Sequence, residues 1–150
     1  MINFVVNKKA KLACRPSWLK LIARNFSRVA KIKGNAEVSL AIVGDAEMRR
    51  LNRVYRNKDK TTDVLSFAES GEKFVSGDRQ KSLGEIVISA SQLKRQAKEF
   101  AVSEDGELAR LLVHGLAHLI GLDHERVSEK EAKKMESFEA KVLAGIFPQK

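Results

Sequence analysis

All three histidines of this chain lie in one short stretch, residues 114–124, which reads HGLAHLIGLDH. His114 and His118 would be about one helical turn apart, so both imidazoles would project from the same face of a helix. Gly121 follows three positions later, and glycine can adopt the positive φ that ends a helix. The chain could then turn and bring His124 toward the same point. The spacing predicts a metal ion bound by three histidine nitrogens.

The pattern H-x3-H-x2-G-x2-H is that of the extended zinc-protease signature, except that Gly115 stands where the signature has its glutamate base. Structural zinc sites use four protein ligands, commonly thiolates, whereas three ligands leave a position for a water whose pKa falls to about 7. The motif therefore favours a hydrolytic Zn²⁺ site that lacks the usual base. The alternative is that the histidines make only ordinary hydrogen bonds in a helix and a turn.

The length and composition favour one soluble globular domain, residues 1–150. No apolar run approaches the roughly 18 residues that span a bilayer, so no membrane association is expected. The single cysteine, Cys14, excludes an internal disulfide and suits a reducing compartment.

The net charge of +9 comes from the N-terminus, because residues 1–34 hold nine Lys or Arg and no acidic residue. Such a leader could be a mitochondrial transit peptide, but residues 2–6 have the pattern of a strand, so we expect the cytoplasm of a bacterium-like cell. Lys20, Arg24 and Arg28, with Lys31, would share one face of a helix that begins near Pro16. That face either contacts RNA phosphates or is simply solvated.

Hydrophobic periodicity predicts an α+β fold, with a mixed sheet of about four strands packed by about five helices. The order of the strands is not predicted. The expected strands are residues 2–6, 37–42, 64–67 and 83–88. The expected helices are residues 16–31, a helix capped by Asp45, residues 91–100, the histidine helix capped by Ser103, and a last helix that Ser128 and Glu131 begin as a capping box. The polar segment 56–63 is predicted to be a site loop.

Three separate segments, residues 56–67, 83–88 and 114–124, together resemble the YbeY family of bacterial metal-dependent single-strand endoribonucleases, which act in ribosomal RNA maturation. The chain departs from the family pattern at three positions. Ala117 replaces a leucine, Glu85 replaces a usual aspartate, and Ala68 replaces a frequent proline. No metal ligand is lost by these changes.

The resemblance implies Zn²⁺-dependent hydrolysis of single-stranded RNA in ribosomal RNA 3′-end processing and ribosome maturation. It implies His114, His118 and His124 as metal ligands, on a helix like that of zinc proteases, and Arg56 as a catalytic or substrate-binding residue. The expected partners are a ribosomal RNA precursor and the small ribosomal subunit with its proteins. The physical argument is compatible, because a zinc ion and a guanidinium both stabilise the negative charge that develops on a phosphodiester under attack.

Two other functions remain open from the sequence. One is a zinc peptidase, against which stand Gly115 and the lack of a methionine turn just after the motif. The other is a non-catalytic ribosome assembly factor whose zinc only holds the fold. For Arg56, the alternative is a structural salt bridge with Asp59 or Asp63.

Overall fold

The computed structural model describes residues 1–69, 81–122 and 128–147. In these residues the chain forms four strands and five helices, as the sequence predicts. Where the sequence predicts both ends of an element, they differ from the observed ends by no more than two residues. In chain order the elements are β1 (Ile2–Lys8), α1 (Pro16–Ala30), β2 (Ala36–Val43), α2 (Asp45–Arg56), β3 (Val64–Ala68), β4 (Lys81–Ser89), α3 (Ala90–Glu99), α4 (Glu104–Leu119) and α5 (Glu129–Ile146).

The strands form one mixed sheet in the order β1-β2-β4-β3. β1 is parallel to β2 and β2 is parallel to β4, while β3 pairs antiparallel with β4. The predicted α+β class with a mixed sheet is therefore confirmed. β3 lies at an edge of the sheet, so one side of its backbone is available to groups from other elements.

The two faces of the sheet carry different helices. Alternate strand residues such as Leu40, Ile42, Ile86 and Ile88 join the main core, to which α1, α3, α4 and α5 contribute. Their neighbours Val43, Leu65 and Val87 face the opposite way and pack on Met48 of α2. β4 is thus buried on both faces, in agreement with the continuous apolar run of residues 86–88. In the part of the chain that the structure describes, no helix is long and apolar enough to cross a membrane.

Serine side chains begin three of the helices. Ser89, Ser103 and Ser128 each accept a hydrogen bond from a backbone N–H of the first turn, as expected of N-caps, and the last two were predicted. The predicted N-cap role of Asp45 is wrong. Gly44 is the N-cap of α2, and the Asp45 carboxylate instead accepts hydrogen bonds from Arg95, Ser89 and Thr61.

These hydrogen bonds, above all the one from Arg95, hold the pKa of Asp45 below its ordinary value. Asp45 therefore connects the start of α2 to the loop after it, to the end of β4 and to α3.

The single cysteine has no comparable role. Cys14 is half-buried, and burial raises the pKa of its thiol, so the unreactive protonated form is favoured.

Candidate functional site

Helix α4 is held by its leucines and ends in a defined turn. Leu108, Leu112 and Leu116 are fully buried in the main core. At the other end, Gly121 has φ +97°, and the N–H groups of Gly121 and Leu122 donate to the carbonyl oxygens of His118 and Ala117, both at 3.0 Å. These paired bonds form the Schellman motif that ends helices. The prediction that Gly121 ends the histidine helix is confirmed.

The structure places His114 and His118 side by side near the C-terminal end of α4. Their Nε2 atoms are 3.2 Å apart, and the two rings are nearly perpendicular, with centroids separated by 4.7 Å. His124, the third predicted ligand, lies outside the described residues. Within the described residues, no three side chains of His, Cys, Asp or Glu come together as a metal site.

Glu139 of α5 contacts the opposite side of the His114 ring. Its Oε1 lies 2.8 Å from His114 Nδ1, and both side chains are about three-quarters buried. A neutral imidazole that donates its Nδ1 proton to this carboxylate keeps an unprotonated Nε2. The lone pair of that nitrogen is the one that a metal would use.

The histidine pair fits a tetrahedral metal. Two nitrogen ligands at about 2.0–2.1 Å from a tetrahedral Zn²⁺ are roughly 3.3 Å apart, close to the observed Nε2 separation. Glu139 bonds Nδ1, the nitrogen on the far side of the ring, so its contact orients a ligand rather than adding one. We did not single out Glu139 from the sequence. Its spacing could have indicated it, because Glu139 lies four residues after the buried Met135 and three before the buried Val142, which places it on the buried face of α5.

Gly115 explains why no glutamate follows His114. A Cβ at this position would lie 3.0 Å from Ile86 Cδ1 and 3.1 Å from Ser66 Oγ. α4 therefore packs closely against β3 and β4, and a side chain at this position requires Ile86 and Ser66 to shift. This close helix–sheet contact favours glycine over the glutamate of the protease signature at position 115.

Arg56 is the last residue of α2, not a residue of the following loop as predicted. Its Nη2 donates to the backbone oxygen of Ser66 at 2.7 Å, and its Cζ lies 5.4 Å from the centre of the Phe67 ring. The predicted alternative, a salt bridge to Asp59 or Asp63, is wrong. Arg49 binds Asp59, and Asp63 accepts hydrogen bonds from Gln96 and from a backbone N–H.

Ser66 connects the arginine to the histidine helix. Its backbone oxygen binds Arg56, and its hydroxyl lies beside Gly115, the residue after His114. Arg56 and the histidines thus flank one short segment of the edge strand β3.

The predicted basic face of α1 is not part of this arrangement. Its residues Lys20, Arg24 and Arg28 are all exposed, which is compatible both with contact to RNA phosphates and with a simply solvated face.

Together these features define a class: an α+β protein with paired histidines on one helix, an oriented imidazole and an arginine bound to the adjacent edge strand. Comparisons with known proteins give the family. A family model described as "Endoribonuclease YbeY" matches residues 4–146. The chain belongs to the YbeY endoribonuclease family, and the predicted resemblance and enzyme class are confirmed.

Individual relatives agree with this assignment. Endoribonuclease YbeY of Pelotomaculum thermopropionicum is 43% identical over 146 residues, covering 95% of both chains. The Bacillus cereus protein of the same name is 34% identical over 148 residues, covering 95% of this chain and 94% of its own. The solution structure of a protein from Thermotoga maritima is similar with a TM-score of 0.63 and 26% identity, over 98% of this chain and 89% of that one.

Proposed function

We propose that this chain hydrolyses single-stranded RNA with one Zn²⁺ held by His114, His118 and His124, on a helix that resembles the metal helix of zinc proteases. The observation that carries the proposal is the 3.2 Å separation of the His114 and His118 Nε2 atoms in a member of an endoribonuclease family. When bound, zinc supplies a Lewis acid that lowers the pKa of a water to about 7 and attracts a phosphate oxygen.

The side chains of the chain have separate roles in this proposal. Glu139 keeps a proton on His114 Nδ1 and fixes the ring, so that Nε2 points toward His118. Arg56 binds the scissile phosphate. Within the described residues, its bond to Ser66 uses one of the five guanidinium N–H donors, and the side chain is exposed, which supports a role for the other donors in binding phosphate oxygens.

We also propose the wider setting that the sequence predicts. The substrate is a ribosomal RNA precursor processed at its 3′ end, the partner is the small ribosomal subunit with its proteins, the location is the cytoplasm, and residues 1–150 form one domain. Lys20, Arg24 and Arg28 contribute weak contacts to RNA phosphates, which is compatible with their exposure on α1.

Metal analysis combined with RNA cleavage tests the proposal. Purified wild-type protein should contain about one zinc per chain and cleave single-stranded RNA faster than duplex RNA. His114→Ala should lose most of its zinc and its cleavage while keeping its helical circular dichroism, because α4 is anchored by buried leucines. Full activity in metal-free wild-type protein would contradict the proposal. Bound zinc without cleavage of any RNA would instead support a non-catalytic assembly factor.

A further inference from the structure

Tyr55, Arg56 and Phe67 form a small cluster, here called the Tyr55 cluster, between the end of α2 and the edge strand β3. The ring of Tyr55, the single tyrosine of the chain, meets the Phe67 ring edge-on, with centroids 5.3 Å apart and an interplanar angle of 66°. Arg56 lies 5.4 Å from the centre of the same Phe67 ring. Tyr55 is nevertheless 63% exposed, so most of its ring faces solvent.

Phe67 supports the Tyr55 ring from the protein side. Phe67 is half-buried against the small core that contains Leu65 and Met48. An exposed aromatic ring is common on protein surfaces and needs no explanation by itself. Here the ring is supported by a second aromatic and stands next to an arginine that we have placed at the phosphate.

A second arginine–aromatic pair in the protein shows what distinguishes this cluster. Arg110 lies 5.9 Å from the centre of the exposed Phe100 ring, but its guanidinium also binds the buried carboxylate of Glu107 at 2.7 Å. Its charge is thereby neutralised. Among the described residues, no carboxylate lies within ion-pair distance of Arg56.

We propose that Tyr55 is a stacking platform for one nucleobase of single-stranded RNA, beside the phosphate that Arg56 binds. This inference rests on the proposed function and names how its substrate is held. Proteins that bind single strands combine cationic groups along the backbone with aromatic rings on which bases stack. Every base has a π-face, so the platform tolerates any sequence. A base inside a duplex is already stacked, so the same ring favours single strands.

The position of Tyr55 fits the path that a bound RNA strand would follow. Ser66 of β3 binds Arg56 through its backbone oxygen and touches α4 through its hydroxyl, and Phe67 is the next residue. An RNA strand with its phosphate between the histidines and Arg56 would therefore pass the end of α2. Tyr55 precedes Arg56 at that end and can receive an adjacent base.

Affinity for a short single-stranded RNA tests the platform. Fluorescence anisotropy with zinc-loaded protein at fixed salt should show roughly tenfold weaker binding for Tyr55→Leu. Tyr55→Phe and Tyr55→Trp, which keep a ring, should bind within about twofold of wild type or tighter. The oligonucleotide is checked on a gel after each titration. Equal melting temperatures would show that the Leu variant is folded.

Two controls make the result specific. Phe100→Leu, which removes the exposed ring beside the neutralised Arg110, should leave affinity unchanged. An oligonucleotide of abasic residues should bind wild type and Tyr55→Leu equally, because it offers no base to stack. Wild-type affinity of Tyr55→Leu for the intact RNA would overturn the proposal, and so would an equal loss on both oligonucleotides. The affinity is taken only from titrations in which the gel shows intact RNA, so failure of zinc-dependent hydrolysis would not by itself change these results.

Discussion

The two faces of α4 differ in what they contact. Toward the sheet, Gly115 and Leu112 lie against closely packed strands, and an added methyl group at Gly115 would already be within about 3 Å of Ile86 and Ser66. On the other side, His114 and His118 are only partly buried, and the carboxylate of Glu139 from α5 contacts His114. One face fixes the position of the helix, and the other carries the histidines that we propose to bind the metal. The tight contact at Gly115 therefore disfavours the glutamate that serves as the base on the corresponding helix of zinc proteases.

The largest effect should follow from changing the sheet face. Gly115→Glu, which restores the zinc-protease pattern, should destabilise the protein by about 3 kcal/mol or more, because it overpacks the contact with β4 and buries a carboxylate without a partner. Urea denaturation measures this change in the free energy of unfolding.

Gly115→Ala is the graded control. Its methyl group meets only the ends of two side chains, and alanine gains about 1 kcal/mol of helix propensity over glycine, so the net cost should be much smaller. If Gly115→Glu unfolded at the same urea concentration as wild type, the close contact between α4 and the sheet would not be what excludes the glutamate.

The histidine face should respond in metal affinity rather than in stability. Glu139→Ala removes the acceptor of the His114 Nδ1 proton, and loss of such a partner typically weakens metal binding by about 10- to 100-fold. Competition with a chromophoric chelator measures the zinc affinity without any assay of cleavage. Glu139→Gln keeps an oxygen that can accept the same proton, so it should retain most of the affinity.

Glu136→Ala serves as the matched control for this experiment. Glu136 is exposed on the same helix, three residues before Glu139, and its loss should leave zinc affinity unchanged. Wild-type affinity in Glu139→Ala would mean that the carboxylate only helps to pack α5 on α4. Equal losses in the Ala and Gln variants would show that the negative charge matters more than the hydrogen bond.

Features that depend on nearby residues were predictable from the sequence. The serine caps at Ser103 and Ser128, the turn at Gly121 and the continuous apolar run of β4 each follow from residues a few positions apart. The convergence of His114 and His118 is of the same kind, because a helix alone sets their spacing.

Contacts between distant segments were not predictable. Glu139 reaches His114 only because α5 packs on α4, and Arg56 reaches Ser66 only because α2 ends beside β3. Asp45 shows how contacts with distant segments can also make a local prediction fail. Its sequence context is that of an N-cap, but in the fold its oxygens are bound by three side chains from other segments, so a nonlocal network replaced the local role.

Changes at Arg56 should have the smallest effect on stability but a clear effect on kcat. Arg56 lies on the other side of β3 from the histidines of α4. Arg56→Lys keeps the charge but replaces a planar fork of donors with a point donor, so it should lower kcat by about tenfold or more if the fork holds the phosphate in the transition state. Arg56→Ala should be worse. Because Arg56 is exposed, the free energy of unfolding should change by no more than about 1 kcal/mol, and zinc affinity should not change.

Arg53→Lys is the matched control, because Arg53 lies one turn earlier on α2 and is 3.6 Å from the Asp59 carboxylate. It should cleave RNA at the wild-type rate. If Arg56→Ala also turned over saturating RNA at that rate, Arg56 would not stabilise the transition state, since an interaction that strengthens there must affect kcat. Its bond to Ser66 would then serve only to cover the free edge of β3. The two lysine variants thus compare an arginine proposed to bind the substrate with an arginine of the same helix that pairs with Asp59 in the following loop.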